Sequence, residues 1–155
     1  MKRLHLHVGV DDLGASIRFY ETLFGAAPTV RHDDYAKWML DDPRVNFAIS
    51  ARDRAAGLDH VGIQTDSAEE LGAIAVRLKS AGAETFDQEA TICCYARSDK
   101  SWVRDPSGLR WETFYTFGDA TSYGEDETLP DPGAGACCGP AEESAPAPAA
   151  VKACC

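Results

Sequence analysis

A strand that hands over to a helix cap after a fixed interval occurs twice in this chain, and nothing else in the sequence constrains the fold as much. Leu4-His5-Leu6-His7-Val8-Gly9-Val10 alternates as a strand does, and Asp12 can cap a helix whose apolar residues Leu13, Ile17, Tyr20, Leu23 and Phe24 recur at helical spacing. Gly25 is a natural stop. Strand candidates follow at residues 29–31, 36–40 and 45–50, separated by the turn-like His32-Asp33-Asp34 and Asp41-Asp42-Pro43. The order then returns. His60-Val61-Gly62-Ile63-Gln64 reads as a strand, Asp66 or Ser67 as a cap, and Leu71, Ile74, Ala75 and Leu78 as a helix face ended by Gly82. Strand candidates at 84–88, 90–97, 102–104 and 109–117 complete the second unit, with Asp105-Pro106-Ser107-Gly108 as a tight turn.

A repeat of roughly 50 residues whose single sheet leaves an apolar face uncovered is expected to pair with its copy. The expected class is therefore α+β: two paired βαβββ modules, at about 1–52 and 57–117, enclosing a cleft. From Gly118 the composition shifts to Gly, Pro, Ala, Glu and Ser, which cannot build much core, so 118–155 is expected to be a flexible tail. It carries Cys137, Cys138, Cys154 and Cys155 as two adjacent pairs, which lack the two-to-four-residue gap of structural zinc knuckles. Capture or delivery of a thiophilic ion is one use for them, and a dispensable appendage is the other.

Charge and hydropathy narrow the partners. The formal net charge is −10, with no basic cluster, so phosphate backbones and anionic membranes are expected to be repelled. The start, Met1-Lys2-Arg3-Leu4-His5, lacks a secretory signal, and no stretch approaches the roughly 18 apolar residues of a membrane span. A cytosolic location follows as an expectation, and there the six cysteines are thiols rather than a disulfide framework.

Two groups of residues carry chemistry. His5 lies seven residues before Asp12 and His60 seven before Ser67, so the two histidines are equivalent in the repeat. If the modules pair about a twofold axis, both imidazoles reach one cleft, and Glu112 can complete a metal-binding face from the last strand. Strand alternation puts Arg110, Glu112 and Phe114 on one side, where an inward carboxylate is costly unless paired or metal-bound. His7 shares the face of His5 and remains an alternative first ligand, although the distance to the helix cap favours His5. His32 lies in an acidic turn and reads as solvated. The second group is Cys93-Cys94, since adjacent thiolates suit a soft centre. Neighbours on a regular strand point to opposite faces, which opposes joint chelation. The polar run at 96–101 suggests a loop or bulge that would remove the objection, and Lys100 or Arg97 could favour the thiolate.

The residues His5-Leu6-His7-Val8-Gly9-Val10-Asp11-Asp12-Leu13, Ser16-Ile17-Arg18-Phe19-Tyr20, Leu23-Phe24-Gly25, Leu58-Asp59-His60-Val61-Gly62 and Asp105-Pro106-Ser107-Gly108 leading to Trp111-Glu112 resemble the vicinal oxygen chelate superfamily of glyoxalases, extradiol dioxygenases and bleomycin-resistance proteins. Within it, Cys93-Cys94-Tyr95-Ala96 with Asp99-Lys100 and Trp102-Val103 resembles the non-haem iron carbon–arsenic lyases and the related cadmium-induced proteins. The resemblance covers residues 1 to about 117 and says little about the tail.

What it implies is specific. The activity would be Fe(II)- and O2-dependent cleavage of trivalent organoarsenicals, methylarsonous acid or an aromatic arsenical, to arsenite. The metal ligands would be His5, His60 and Glu112, although the family's first ligand varies between His and Gln. Cys93 and Cys94 would bind arsenic, and Tyr95 and Lys100 are expected to close over the substrate. The rival is sequestration of cadmium, arsenite or a drug without catalysis, which has no use for two histidines and a carboxylate. A glyoxalase-type isomerase is a weaker third, because it has no role for adjacent thiols. The sequence leaves open a monomer or a homodimer, and alkyl against aryl preference.

Overall fold

In the computed structural model, which describes residues 1–52 and 55–124, two βαβββ units build one eight-stranded mixed sheet. The elements are β1 (Arg3–Gly9), α1 (Leu13–Phe24), β2 (Val30–Arg31), β3 (Tyr35–Asp41), β4 (Arg44–Ser50), β5 (Gly57–Thr65), α2 (Ala68–Ser80), β6 (Phe86–Cys93), β7 (Ala96–Arg104) and β8 (Arg110–Asp119). The sheet order β2-β3-β4-β1-β5-β8-β7-β6 reads alike from either edge, since each unit contributes a strand, then its last, middle and second. The units meet where β1 and β5 run antiparallel, and each of these pairs in parallel with the last strand of its own unit, β4 or β8. The sheet curls into a half-barrel.

Local chemistry explains the boundaries. The Asp12 carboxylate accepts a hydrogen bond from the Ala15 amide at 2.8 Å and opens α1, and Gly25 closes it in the left-handed conformation at φ 64°. Of the two candidate caps for α2, Ser67 takes the role, with Oγ accepting from the Glu70 amide at 3.3 Å. Alternation then sorts the side chains. Ala36, Trp38, Phe47 and Ile49 face outward against Ile17, Tyr20 and Phe24 of α1, and full burial of each large one contributes about 1.5–3 kcal/mol. Tyr35, Asn46, Ala48 and Ser50, the residues between, face the concave side.

Two expectations need correction and a third is half met. Of the loop or bulge expected in the polar run at 96–101, the structure has the bulge: the run is the first part of β7, with a register shift between Arg97 and Ser98. Its polarity reflects the cleft it faces, where Ser98 and Lys100 are both buried. The strand candidates at 84–88 and 90–97 are not separate strands but parts of β6 and β7, which form a hairpin joined by Cys94 and Tyr95 alone. Finally, the folded chain does not stop at 117. β8 runs to Asp119, and Tyr123 is 7% exposed within a second cluster with Tyr35 and Ala48. The rest of the expected tail, including Cys137, Cys138, Cys154 and Cys155, lies outside the described residues.

Candidate metal and thiol site

The central strands bring three donors to one point. His5 on β1 and His60 on β5 face each other with Nε2 atoms 3.2 Å apart. Glu112 on β8 sets Oε2 at 3.6 Å from the His5 Nε2 and 3.4 Å from the His60 Nε2. Gly62 makes that spacing available, because a Cβ there would fall on the Glu112 backbone carbonyl. Gly62→Ala is therefore expected to spread β5 from β8, costing about 1–3 kcal/mol in urea denaturation and weakening the binding of a divalent ion such as Mn(II) in the same protein. Unchanged binding of the ion would show that the three donors tolerate a wider gap.

Each histidine is oriented from behind. His5 Nδ1 lies 3.0 Å from the Asn46 carbonyl oxygen, and His60 Nδ1 lies 2.9 Å from Asp59 Oδ2, whose other oxygen is paired with Arg110. Both arrangements leave Nε2 aimed at the shared point, as outer partners of metal-bound imidazoles do. His7 is the near rival. Its ring also belongs to a cluster with His5 and His60 in which one ligand nitrogen from each lies within 4.8 Å of the others. Yet His7 Nε2 is 2.9 Å from Ser50 Oγ, whereas the Nε2 atoms of His5 and His60 meet each other and Glu112.

The protonation pattern without an ion is asymmetric. Burial lowers the His5 pKa to about 4, so His5 is neutral at neutral pH. Burial also works against charge on His60, but hydrogen bonds to Asp59 and Glu112 outweigh it and raise the pKa to about 9. Glu112 is held well below the ordinary carboxylate range by Lys100 and His60, in spite of a burial that opposes its charge. A metal ion must therefore displace one proton, the one on His60. Apparent metal affinity should rise about tenfold per pH unit below about pH 9 and level off above it. Titration of a colourless divalent ion such as Mn(II) between pH 6 and 9 reads this slope, and a flat profile would contradict it.

Lys100 links this cluster to the cysteines. It is 8% exposed, and its Nζ lies 2.5 Å from Glu112 Oε1, the oxygen turned away from the histidines. The charges of Glu112, Cys93 and Cys94 raise the pKa of Lys100 against the burial that would lower it. The expectation that Lys100 sits in a closing loop is thus replaced: it is a fixed cation inside the cleft. Tyr95 does lie at the surface turn, but its ring stacks on His32 at 3.5 Å between centroids and its hydroxyl donates to Asp34 at 2.8 Å. His32 is accordingly a packing partner rather than a freely solvated residue.

Cys93 and Cys94 have Sγ atoms 2.9 Å apart, and neither is in a disulfide. The turn explains how neighbours converge. Cys94 and Tyr95 have φ of 58° and 62°, the signs of a type I′ hairpin turn, whose usual residues are Asn and Gly. Left-handed backbone costs about 1–2 kcal/mol at a residue with a Cβ. The gain is that both thiols turn to one side. The Cys94 thiol is held well below its ordinary pKa by the hydrogen bond from Cys93, with burial opposing and His7 and Lys100 assisting.

One cavity of about 60 Å³ has both thiols, His5, Glu112 and Lys100 in its wall. Tyr35 and Lys37, also lining it, were not singled out from the sequence. Burial and the nearby thiols push the Tyr35 hydroxyl well above its ordinary pKa, while burial lowers that of Lys37. Alternation along β3, with Tyr35 and Lys37 opposite Ala36 and Trp38, was the available signal for both.

A half-barrel of two βαβββ modules, with histidines and a carboxylate converging on its central strands, defines a metal-site protein of the vicinal oxygen chelate type. The chain belongs to the Glyoxalase/Bleomycin resistance protein/Dioxygenase superfamily, whose family profile matches residues 2–113. It is 43% identical over 133 residues to a trivalent organoarsenical cleaving enzyme of Bacillus sp. (strain MD1), covering 84% of this chain and 81% of that one. It is 37% identical over 125 residues to the cadmium-induced protein CadI of Mycobacterium tuberculosis (strain H37Rv), covering 80% and 82%. An extradiol ring-cleaving dioxygenase from B. fuscum superposes with a TM-score of 0.59 at 17% identity, over 76% of this chain and 33% of that one. That last likeness speaks for the fold alone. Among the described residues no helix is long and apolar enough to cross a membrane.

Proposed function

We propose that this protein cleaves the carbon–arsenic bond of trivalent organoarsenicals, using Fe(II) held by His5, His60 and Glu112 and O2 as co-substrate, and releases arsenite. The observation that carries the reading is that a convergent thiol pair shares one cavity with His5 and Glu112, and that the His60 Nε2 meets both of these donors. Two imidazoles and a carboxylate fit a ferrous ion, with open positions left for small ligands. Bound there, iron would supply activation of O2.

The chain's own residues do the rest. Cys93 and Cys94 each exchange with an As–OH group, releasing water, and the two As–S bonds hold the arsenic beside the metal face. Lys100 helps keep Glu112 and the Cys94 thiolate anionic in a buried cleft, which is where such charges would otherwise be neutralised. Asn46 and Asp59 fix the imidazole orientations. For a methyl substrate the atoms balance with both oxygens retained: CH3As(OH)2 and O2 give CH2O and As(OH)3.

The test is anaerobic loading with Fe(II), addition of methylarsonous acid, then O2, followed by arsenic speciation. Arsenite and formaldehyde in equal amounts are expected. Sequestration without catalysis is the reading that the relative named for cadmium induction would favour. Tight arsenical binding with no arsenite released under these conditions would decide for it.

A further inference from the structure

Beyond β8 the chain doubles back over the cysteine turn. The Ala120 amide donates to the Tyr95 carbonyl at 2.9 Å, and Gly124 forms an antiparallel bridge with Cys93. Between these two anchors Tyr123 is buried, with its ring centroid 5.8 Å from that of Tyr95 and 5.9 Å from that of Tyr35. The Arg52 guanidinium covers the Tyr123 ring at 3.9 Å, and Arg52 pairs with Asp34 at 2.5 Å. Asp34 in turn accepts the Tyr95 hydroxyl. The turn is thus gripped on two sides: by β3 and its preceding loop through His32, Asp34 and Tyr35, and by the returning segment through Ala120, Tyr123 and Gly124.

That grip answers a question the turn raises. Two residues with side chains occupy left-handed backbone at Cys94 and Tyr95, a conformation that persists only where its surroundings over-determine it. Relaxed toward a regular strand, the two thiols would point to opposite faces and could not hold one atom. Gly124 is suited to its place, with φ of 81° and no room for a Cβ, which would fall on the Ile92 carbonyl. Residues 120–124 contribute no side chain to the metal cluster. Among the described residues, Ala120, Tyr123 and Gly124 contact the hairpin that carries the thiols and its supports.

We infer that residues 120–124 are a latch that presets the Cys93-Cys94 pair for bidentate arsenic binding, with Tyr123 and Gly124 as its positioning residues. The inference rests on the reading of these thiols as the arsenic site. The latch works by preorganisation: it holds both sulfurs on one side before the ligand arrives, so that the second As–S bond closes without rearrangement of the turn.

The experiment uses the full chain, iron-free and anaerobic, with Cys137, Cys138, Cys154 and Cys155 replaced by serine so that only the hairpin thiols report. Methylarsonous acid is titrated calorimetrically, and Fe(II) binding is measured separately. Gly124→Ala and Tyr123→Ala should each weaken arsenical binding at least tenfold and leave Fe(II) affinity unchanged. Tyr123→Phe should recover most of the loss, because the ring packing is kept. Arsenical affinity equal to the parent in both Gly124→Ala and Tyr123→Ala overturns the latch. So does a parallel loss of Fe(II) binding, which would make the segment a general structural part. Cys93→Ser serves as the control: if it binds the arsenical as the parent does, the thiol site itself is wrong, a failure distinct from that of the latch.

Discussion

With the thiols holding arsenic and the triad holding iron as proposed, Cys93→Ser and Cys94→Ser are each expected to abolish organoarsenical cleavage while Fe(II) stays bound. The second of two As–S bonds forms within an already tethered complex, and linking two contacts in this way adds about 10²–10⁴ to affinity over one alone. Serine keeps the size of the side chain and removes the soft donor, so the expected loss in arsenical binding is of that order. The two variants should behave alike, because the pair acts as a unit and the turn places both sulfurs together. Cys94→Ser should in addition leave Lys100 with one fewer anion nearby, yet Glu112 at 2.5 Å still neutralises it. Measured as arsenite released from methylarsonous acid, in protein whose tail cysteines are serine, near-parental rates in both variants would remove the chemical basis of the arsenic assignment.

The architecture was legible because it is written twice. Caps at Asp12 and Ser67, matched intervals from His5 and His60, and alternating strands all point to the same paired modules, and the sheet order carries that symmetry. The approach of His5 and His60 was legible for the same reason, since equivalence in a repeat predicts convergence at its axis, whereas Glu112 was reached through strand alternation. What stayed hidden lies around the thiols. Cys94-Tyr95 offers no Asn-Gly signal, so a two-residue hairpin turn looked like the middle of a strand or a loop. The polar residues of β7 obscured a strand because the strand lines a polar cleft. Lys100 read as mobile for want of a visible partner: its carboxylate, Glu112, is remote in sequence and adjacent only through the pairing of β7 with β8. Tyr123 sat in a stretch whose composition argues against a core, and a single buried ring on a returning segment leaves no periodic trace.

Removing a metal ligand has the other large effect, and its form differs from ligand to ligand. If the three donors hold Fe(II) as proposed, His60→Ala deletes one of them and should reduce bound Fe(II) to near zero, with the fold retained, since the ring's loss leaves Asp59 still paired with Arg110. Glu112→Ala should also lose the iron, but at a cost to stability that His60→Ala does not share. It strands the buried Lys100 ammonium, and breaking a buried pair from one side costs about 3–5 kcal/mol. Adding Lys100→Met should restore most of that stability in urea titrations while the iron stays absent, which separates the carboxylate's two roles. His5→Ala should abolish iron binding and His7→Ala should not, because His7 is turned to Ser50 while His5 meets His60 and Glu112. The reverse order for these two histidines would transfer the first ligand position to His7, and full iron stoichiometry in either His60→Ala or Glu112→Ala would remove the triad altogether.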